Sequence, residues 1–120
     1  MSRSAALAAA LFAAAAPAVA QTPADLAATF DNTLVSTYAD GRSAKLWLDA
    51  DGRYTGEGRR GDASGGRWSV KGEKLCFKQS RPLPVLFAYC APMVEGGVGT
   101  IWRTKSVFGE PITVELVRGR

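Results

Sequence analysis

Few residues in this chain are suited to chemistry. Cys76 and Cys90 are its only cysteines, and it has no histidine. Without an imidazole, Ser-His-Asp and Cys-His catalysis and the common zinc sites drop out together. No serine stands at a helical spacing from a lysine that would make a Ser-Lys nucleophile pair. Glu57, Asp62, Glu73, Glu95 and Glu110 could supply carboxylates, but no spacing sets two of them in one cleft as an acid–base pair requires. They read as surface acids. The expectation is a non-enzyme with no catalytic residue and no cofactor.

Two motif-like strings resolve the same way. Gly56-Glu57-Gly58-Arg59-Arg60-Gly61 matches G-x-G-x-x-G and follows an expected strand. A dinucleotide loop must open a helix inside a βαβ unit. This one runs into Asp62-Ala63-Ser64-Gly65-Gly66, which reads as loop. Asp49-Ala50-Asp51-Gly52 is similar to the middle of a calcium-binding loop. With Gly52 at the glycine position, the two end ligands would fall on Trp47 and Gly58, and neither offers a side-chain oxygen. No metal site is expected.

What remains is contact chemistry. The segment Arg59–Arg67 combines three arginines with Gly61, Gly65, Gly66, Asp62 and Ser64. Guanidinium groups suit carboxylates in an enzyme cleft, and loops on a rigid β scaffold are common binding elements. Arg59, Arg60 and Ser64, with Ser64 near the loop tip, are the candidate partner contacts. Trp47 joins them, since an exposed tryptophan often marks a contact surface.

The elements that must position these residues follow an N-terminal leader. Met1-Ser2-Arg3-Ser4 carries one positive charge, Ala5–Ala16 is apolar, and Pro17-Ala18-Val19-Ala20 closes on an A-x-A site ahead of Gln21. That grammar is a secretory signal peptide, residues 1–20, and its apolar run is too short to span a bilayer. A periplasmic or secreted location is expected. Cleavage leaves 100 residues and lowers the formal charge from +4 to +3. So weak a basic signature argues against nucleic acid, and no later segment is apolar enough for a membrane span. In an exported domain of this size, Cys76 and Cys90 read as one structural disulfide.

Residues 21–32 form an N-terminal helical segment and residues 33–120 a β domain. Thr22 suits an N-cap, Pro23 the first helical position, and Leu26 and Phe30 share a face. From Thr33 onward short alternating runs are split by glycine, which is β grammar. A loop at Ala50-Asp51-Gly52 sets Asp49 opposite Arg53, Leu48 opposite Tyr54, Leu46 opposite Gly56 and Lys45 opposite Glu57. Trp47 then falls on the outer face. A second turn at Gly72-Glu73 pairs Val70 with Leu75 and Trp68 with Phe77. Val85, Phe87 and Tyr89 alternate with Leu86, Ala88 and Cys90, so Cys76 opposite Cys90 puts Phe77 beside Tyr89. Strands near Val98–Thr104 and Ile112–Val117 finish the chain, with Trp102 a second candidate for the outer side. The fold class is all-β: a small antiparallel barrel or sandwich of six to eight strands, with a short N-terminal helix and one disulfide. So small a barrel is expected to be filled by its own side chains, without a large ligand cavity.

Gly66-Arg67-Trp68-Ser69-Val70-Lys71-Gly72-Glu73-Lys74-Leu75-Cys76-Phe77, with Cys90 downstream, resembles a recurrent segment of small secreted bacterial β domains of unknown function. The resemblance implies an exported β fold and no assigned activity. Ser64-Gly65-Gly66-Arg67-Trp68 is similar to the S-G-x-x-Y loop of periplasmic lysozyme inhibitors, with Trp68 at the tyrosine position. Periplasmic inhibitors of secreted proteases are likewise small disulfide-bearing barrels. The lysine-bearing strand of the lysozyme inhibitors has no clear match here, with Lys71 and Lys78 as stand-ins.

The expected function is an exported, non-enzymatic binding module with a protein partner in the cell envelope, such as a lytic enzyme or protease that it inhibits. The alternative is a carrier of a small apolar ligand. It requires a cavity lined by Leu46, Leu48, Tyr54, Trp68 and Phe87, and a closely packed interior would sink it.

Overall fold

The computed structural model describes residues 24–120. The expected signal peptide and the capping residues Thr22 and Pro23 lie outside the described residues. One helical turn, α1 (Ala24–Ala27), precedes eight strands. These are β1 (Thr33–Tyr38), β2 (Ser43–Leu48), β3 (Arg53–Glu57), β4 (Ala63–Lys71), β5 (Lys74–Arg81), β6 (Tyr89–Pro92), β7 (Ile101–Lys105) and β8 (Pro111–Val117). Every ladder is antiparallel. Strands β1 to β6 run as a meander, and β8 returns to pair with β1, giving the order β6-β5-β4-β3-β2-β1-β8-β7. The sheet curls into a nearly closed barrel whose seam lies between β6 and β7.

The expected registers hold. Leu48 opposes Tyr54, Leu46 opposes Gly56 and Lys45 opposes Glu57, while the Asp49 amide donates to the Arg53 carbonyl. Gly52 supplies the left-handed residue of that turn, with φ of 92°, a conformation nearly free for glycine and costly for other residues. Val70 opposes Leu75 and Trp68 opposes Phe77. Cys76 opposes Cys90, bonded with α-carbons 4.0 Å apart, and Phe77 sits beside Tyr89 as expected.

Four expectations need correction. The helical segment shortens to one turn, because side chains take carbonyls that a longer helix would use. The Thr29 hydroxyl donates to the Leu26 carbonyl and the Asn32 amide to that of Ala28. The alternation Val85–Tyr89 is not a strand before Tyr89. Residues 82–88 fold back on β5 instead, where Gln79 holds the Leu83 carbonyl and Lys78 that of Leu86. Ser64 lies within β4, paired with Gly56, rather than at a loop tip. Trp102 turns inward and packs on the core.

Most of the hydrophobic core lies towards one end of the barrel. Leu26 from α1, Leu34, Leu48, Ile112, Val114 and Leu116 form its buried core, with Leu48 wholly inaccessible. Phe30 bridges to Leu48 and sets its ring 5.9 Å from that of Trp68. The C-terminus closes this end: Arg120 donates to the Leu48 carbonyl and pairs with Asp49.

Candidate functional site

The interior of the other end is not filled. The strand connections β1–β2, β3–β4, β5–β6 and β7–β8 emerge there, around a half-open cavity of about 300 Å³. This overturns the expectation of a barrel filled by its own side chains. The physical reason is a run of small residues at inward positions on four neighbouring strands. Ser36 of β1 opposes Ala44 of β2, Leu46 opposes Gly56 of β3, and Gly56 opposes Ser64 of β4. A side chain on Gly56 would meet the Ser64 hydroxyl at 2.8 Å, so the wall is already close there. Gly66 is tighter still: an added Cβ would lie 2.0 Å from the Lys78 carbonyl oxygen, beside the irregularity where β4 and β5 change register.

The opposite wall is aromatic. Tyr54 meets Phe77 edge-on at 5.2 Å, and Phe77 stacks on Tyr89 at 6.3 Å. Trp102 continues this wall, and Val85, Phe87 and Val107 sit towards the mouth. The lining is mainly apolar, with polar residues that include Ser36, Ser64, Gln79, Thr104 and Ser106, and with Lys45 and Glu57 also at its border. Burial raises the pKa of Tyr54 above its ordinary value. Tyr89 is raised by burial first and then by Tyr38, against an opposing hydrogen bond from Thr104. Both phenols therefore stay neutral at physiological pH and act as hydrogen-bonding, apolar-faced groups.

Of the residues expected to line a carrier cavity, Leu46, Tyr54 and Phe87 do so. Leu48 belongs to the packed core and Trp68 packs against it. Ser36, Ala44, Phe77, Tyr89, Trp102 and Thr104 line the cavity and had not been singled out for it. A second depression of about 380 Å³ lies beneath, between α1 and residues 93–95. Trp102, Leu34, Leu75 and Pro92 border both. Glu73 and Glu95 border the lower one.

The residues proposed for a partner contact are dispersed. Arg59 lies over the Tyr38 ring at 4.0 Å, pairs with Glu110 at 3.0 Å and reaches Asp40 at 3.6 Å. It thereby clasps three of the four mouth loops. Arg60 beside it is exposed. Ser64 faces the cavity. Trp47 is on the outer face, half-buried, and its indole N–H donates to the Thr33 hydroxyl, which donates in turn to the Gly119 carbonyl.

Among the described residues, no group of three carboxylate or thiol side chains is placed to hold a metal ion. Asp49 and Asp51 of the calcium-like string are engaged by Arg120 and by the Arg53 amide. Among the described residues no helix is long and apolar enough to cross a membrane. Comparison with protein-family models, curated proteins and solved structures finds no match for this chain.

Proposed function

We propose that this protein is an exported, non-enzymatic binding barrel that takes one small, largely apolar molecule into the open end of its barrel. The observation that carries this reading is the half-open cavity of about 300 Å³, at the lower end of the range for ligand pockets. Its composition fits the same class of ligand. An aromatic wall offers area and ring-stacking geometry, while the Ser36, Ser64 and Thr104 hydroxyls offer a few hydrogen bonds to fix orientation. A flat, uncharged ring system with one polar substituent matches that lining. The expected leader and the disulfide support an envelope location.

The enzyme-inhibitor reading draws on fewer observations. Arg59 already pairs with two carboxylates, and Ser64 points inward, so Arg60 alone of that trio is free to meet a partner's cleft.

The test is an equilibrium titration with the uncharged fluorophore N-phenylnaphthylamine. Wild type is expected to bind one dye per chain, saturably. Ala44→Phe, which places a ring in the cavity, is expected to weaken binding by about tenfold or more, equivalent to about 1.4 kcal/mol. No saturable binding by wild type, or equal binding by a folded Ala44→Phe variant, would overturn the reading.

A further inference from the structure

The rim of the cavity carries a feature that ligand binding does not require. Two mouth loops, residues 82–88 and 106–110, hold Leu83, Leu86, Phe87, Val107 and Phe108, all exposed. Leu86 and Phe108 are 93% and 91% accessible. The two loops flank the same seam, because β6 and β7 are the edge strands. The Tyr89 hydroxyl donates to the Lys105 carbonyl across that seam, and Phe87 and Val107 both line the cavity mouth. A soluble monomer seldom exposes so many large apolar groups together.

The strands that lead into these loops carry cations. Arg81 ends β5 where it enters the first loop, Lys78 lies within β5, and Lys105 ends β7 where it enters the second. Lys78 donates to the Leu86 carbonyl and so stays against the apolar tip. The one acid of the second loop, Glu110, is paired with Arg59.

We propose that the open mouth docks on an anionic lipid surface. Leu83, Leu86 and Phe108 enter the boundary between headgroups and acyl chains, and Lys78, Arg81 and Lys105 meet the lipid phosphates. The inference rests on the cavity reading and extends it. With the mouth facing the bilayer, an apolar molecule passes between membrane and barrel without crossing water. A protein partner or a second copy fits less well. The apolar groups project from two loop tips, and covering them would also stopper the cavity.

The test is sedimentation of the purified protein with vesicles, dye absent. One set is pure phosphatidylcholine and the other contains phosphatidylglycerol. Wild type is expected to bind the anionic vesicles about tenfold or more tightly than the neutral ones, and to release as salt rises. The variant Leu83→Ser/Leu86→Ser/Phe108→Ser alters no cavity-lining residue. It is expected to lose vesicle binding by about tenfold or more while keeping dye uptake in solution. Replacing Lys78, Arg81 and Lys105 by glutamine is expected to abolish the preference for anionic lipid. No vesicle binding by wild type, or equal binding by the serine variant, overturns the proposal. So does concentration-dependent self-association that the serine variant abolishes in the absence of vesicle binding. Vesicle binding without dye uptake would defeat the cavity reading alone, and dye uptake without vesicle binding would defeat the docking proposal alone.

Discussion

The Tyr89 hydroxyl on β6 donates a hydrogen bond to the Lys105 carbonyl at the end of β7, joining the two edge strands that no ladder pairs with each other. The ring of Tyr89 also stacks on Phe77 in the cavity wall. One side chain thus serves both seam and lining. Tyr89→Phe keeps the ring and removes the bond. It is expected to cost about 1 kcal/mol of unfolding free energy, read from urea denaturation.

The pH dependence follows from two phenols, Tyr54, which is buried, and Tyr89, which is half-buried. Burial raises the pKa of Tyr54 and of Tyr89 above the ordinary 10.0. The folded state therefore holds these protons more tightly, and the unfolded chain ionises first. Their contribution is fully present below the unfolded pKa and is lost as the pH rises through the folded values. Urea midpoints are expected to fall above about pH 10, and Tyr54→Phe to flatten that fall.

Gly66 is fixed by a backbone contact. An alanine Cβ there would meet the Lys78 carbonyl at 2.0 Å, which no side-chain rotation relieves. Gly66→Ala is expected to destabilise by about 2 kcal/mol or more, as overpacking does, seen as a lower urea midpoint.

The disulfide closes a short loop, Cys76 to Cys90, a sequence separation of 14. Replacing both cysteines with alanine is expected to cost about 3 kcal/mol on the chain-entropy account. Thiol titration of the denatured, unreduced protein is expected to find no free thiol.

The two hairpins were legible because local signals agreed. Gly52 and Gly72 both take positive φ, and clean alternation on either side left one register that keeps faces consistent. The Cys76–Cys90 pairing followed from the same faces. The cavity was not legible. Its small wall comes from Ser36, Ala44, Gly56 and Ser64 on four strands, and the curl of the sheet decides which of them share a level. The glycine-rich stretch around Ser64 looked like loop, yet its backbone pairs with β3, and those ladder bonds outweigh the low strand propensity of glycine. Trp102 was ambiguous because Ile101 beside it is apolar too. The outward charges Arg103 and Lys105 were the usable clue.

The most direct measurement is to map a bound small molecule onto this barrel by NMR. N-phenylnaphthylamine is titrated into isotopically labelled protein, and shift changes are followed residue by residue. Changes are expected at Ala44, Ser64, Trp102 and Thr104, with Trp47 on the outer face and Leu48 in the packed core undisturbed. Saturable shifts centred on Trp47 or elsewhere on the outer surface, or none at all, would contradict a ligand site inside the barrel.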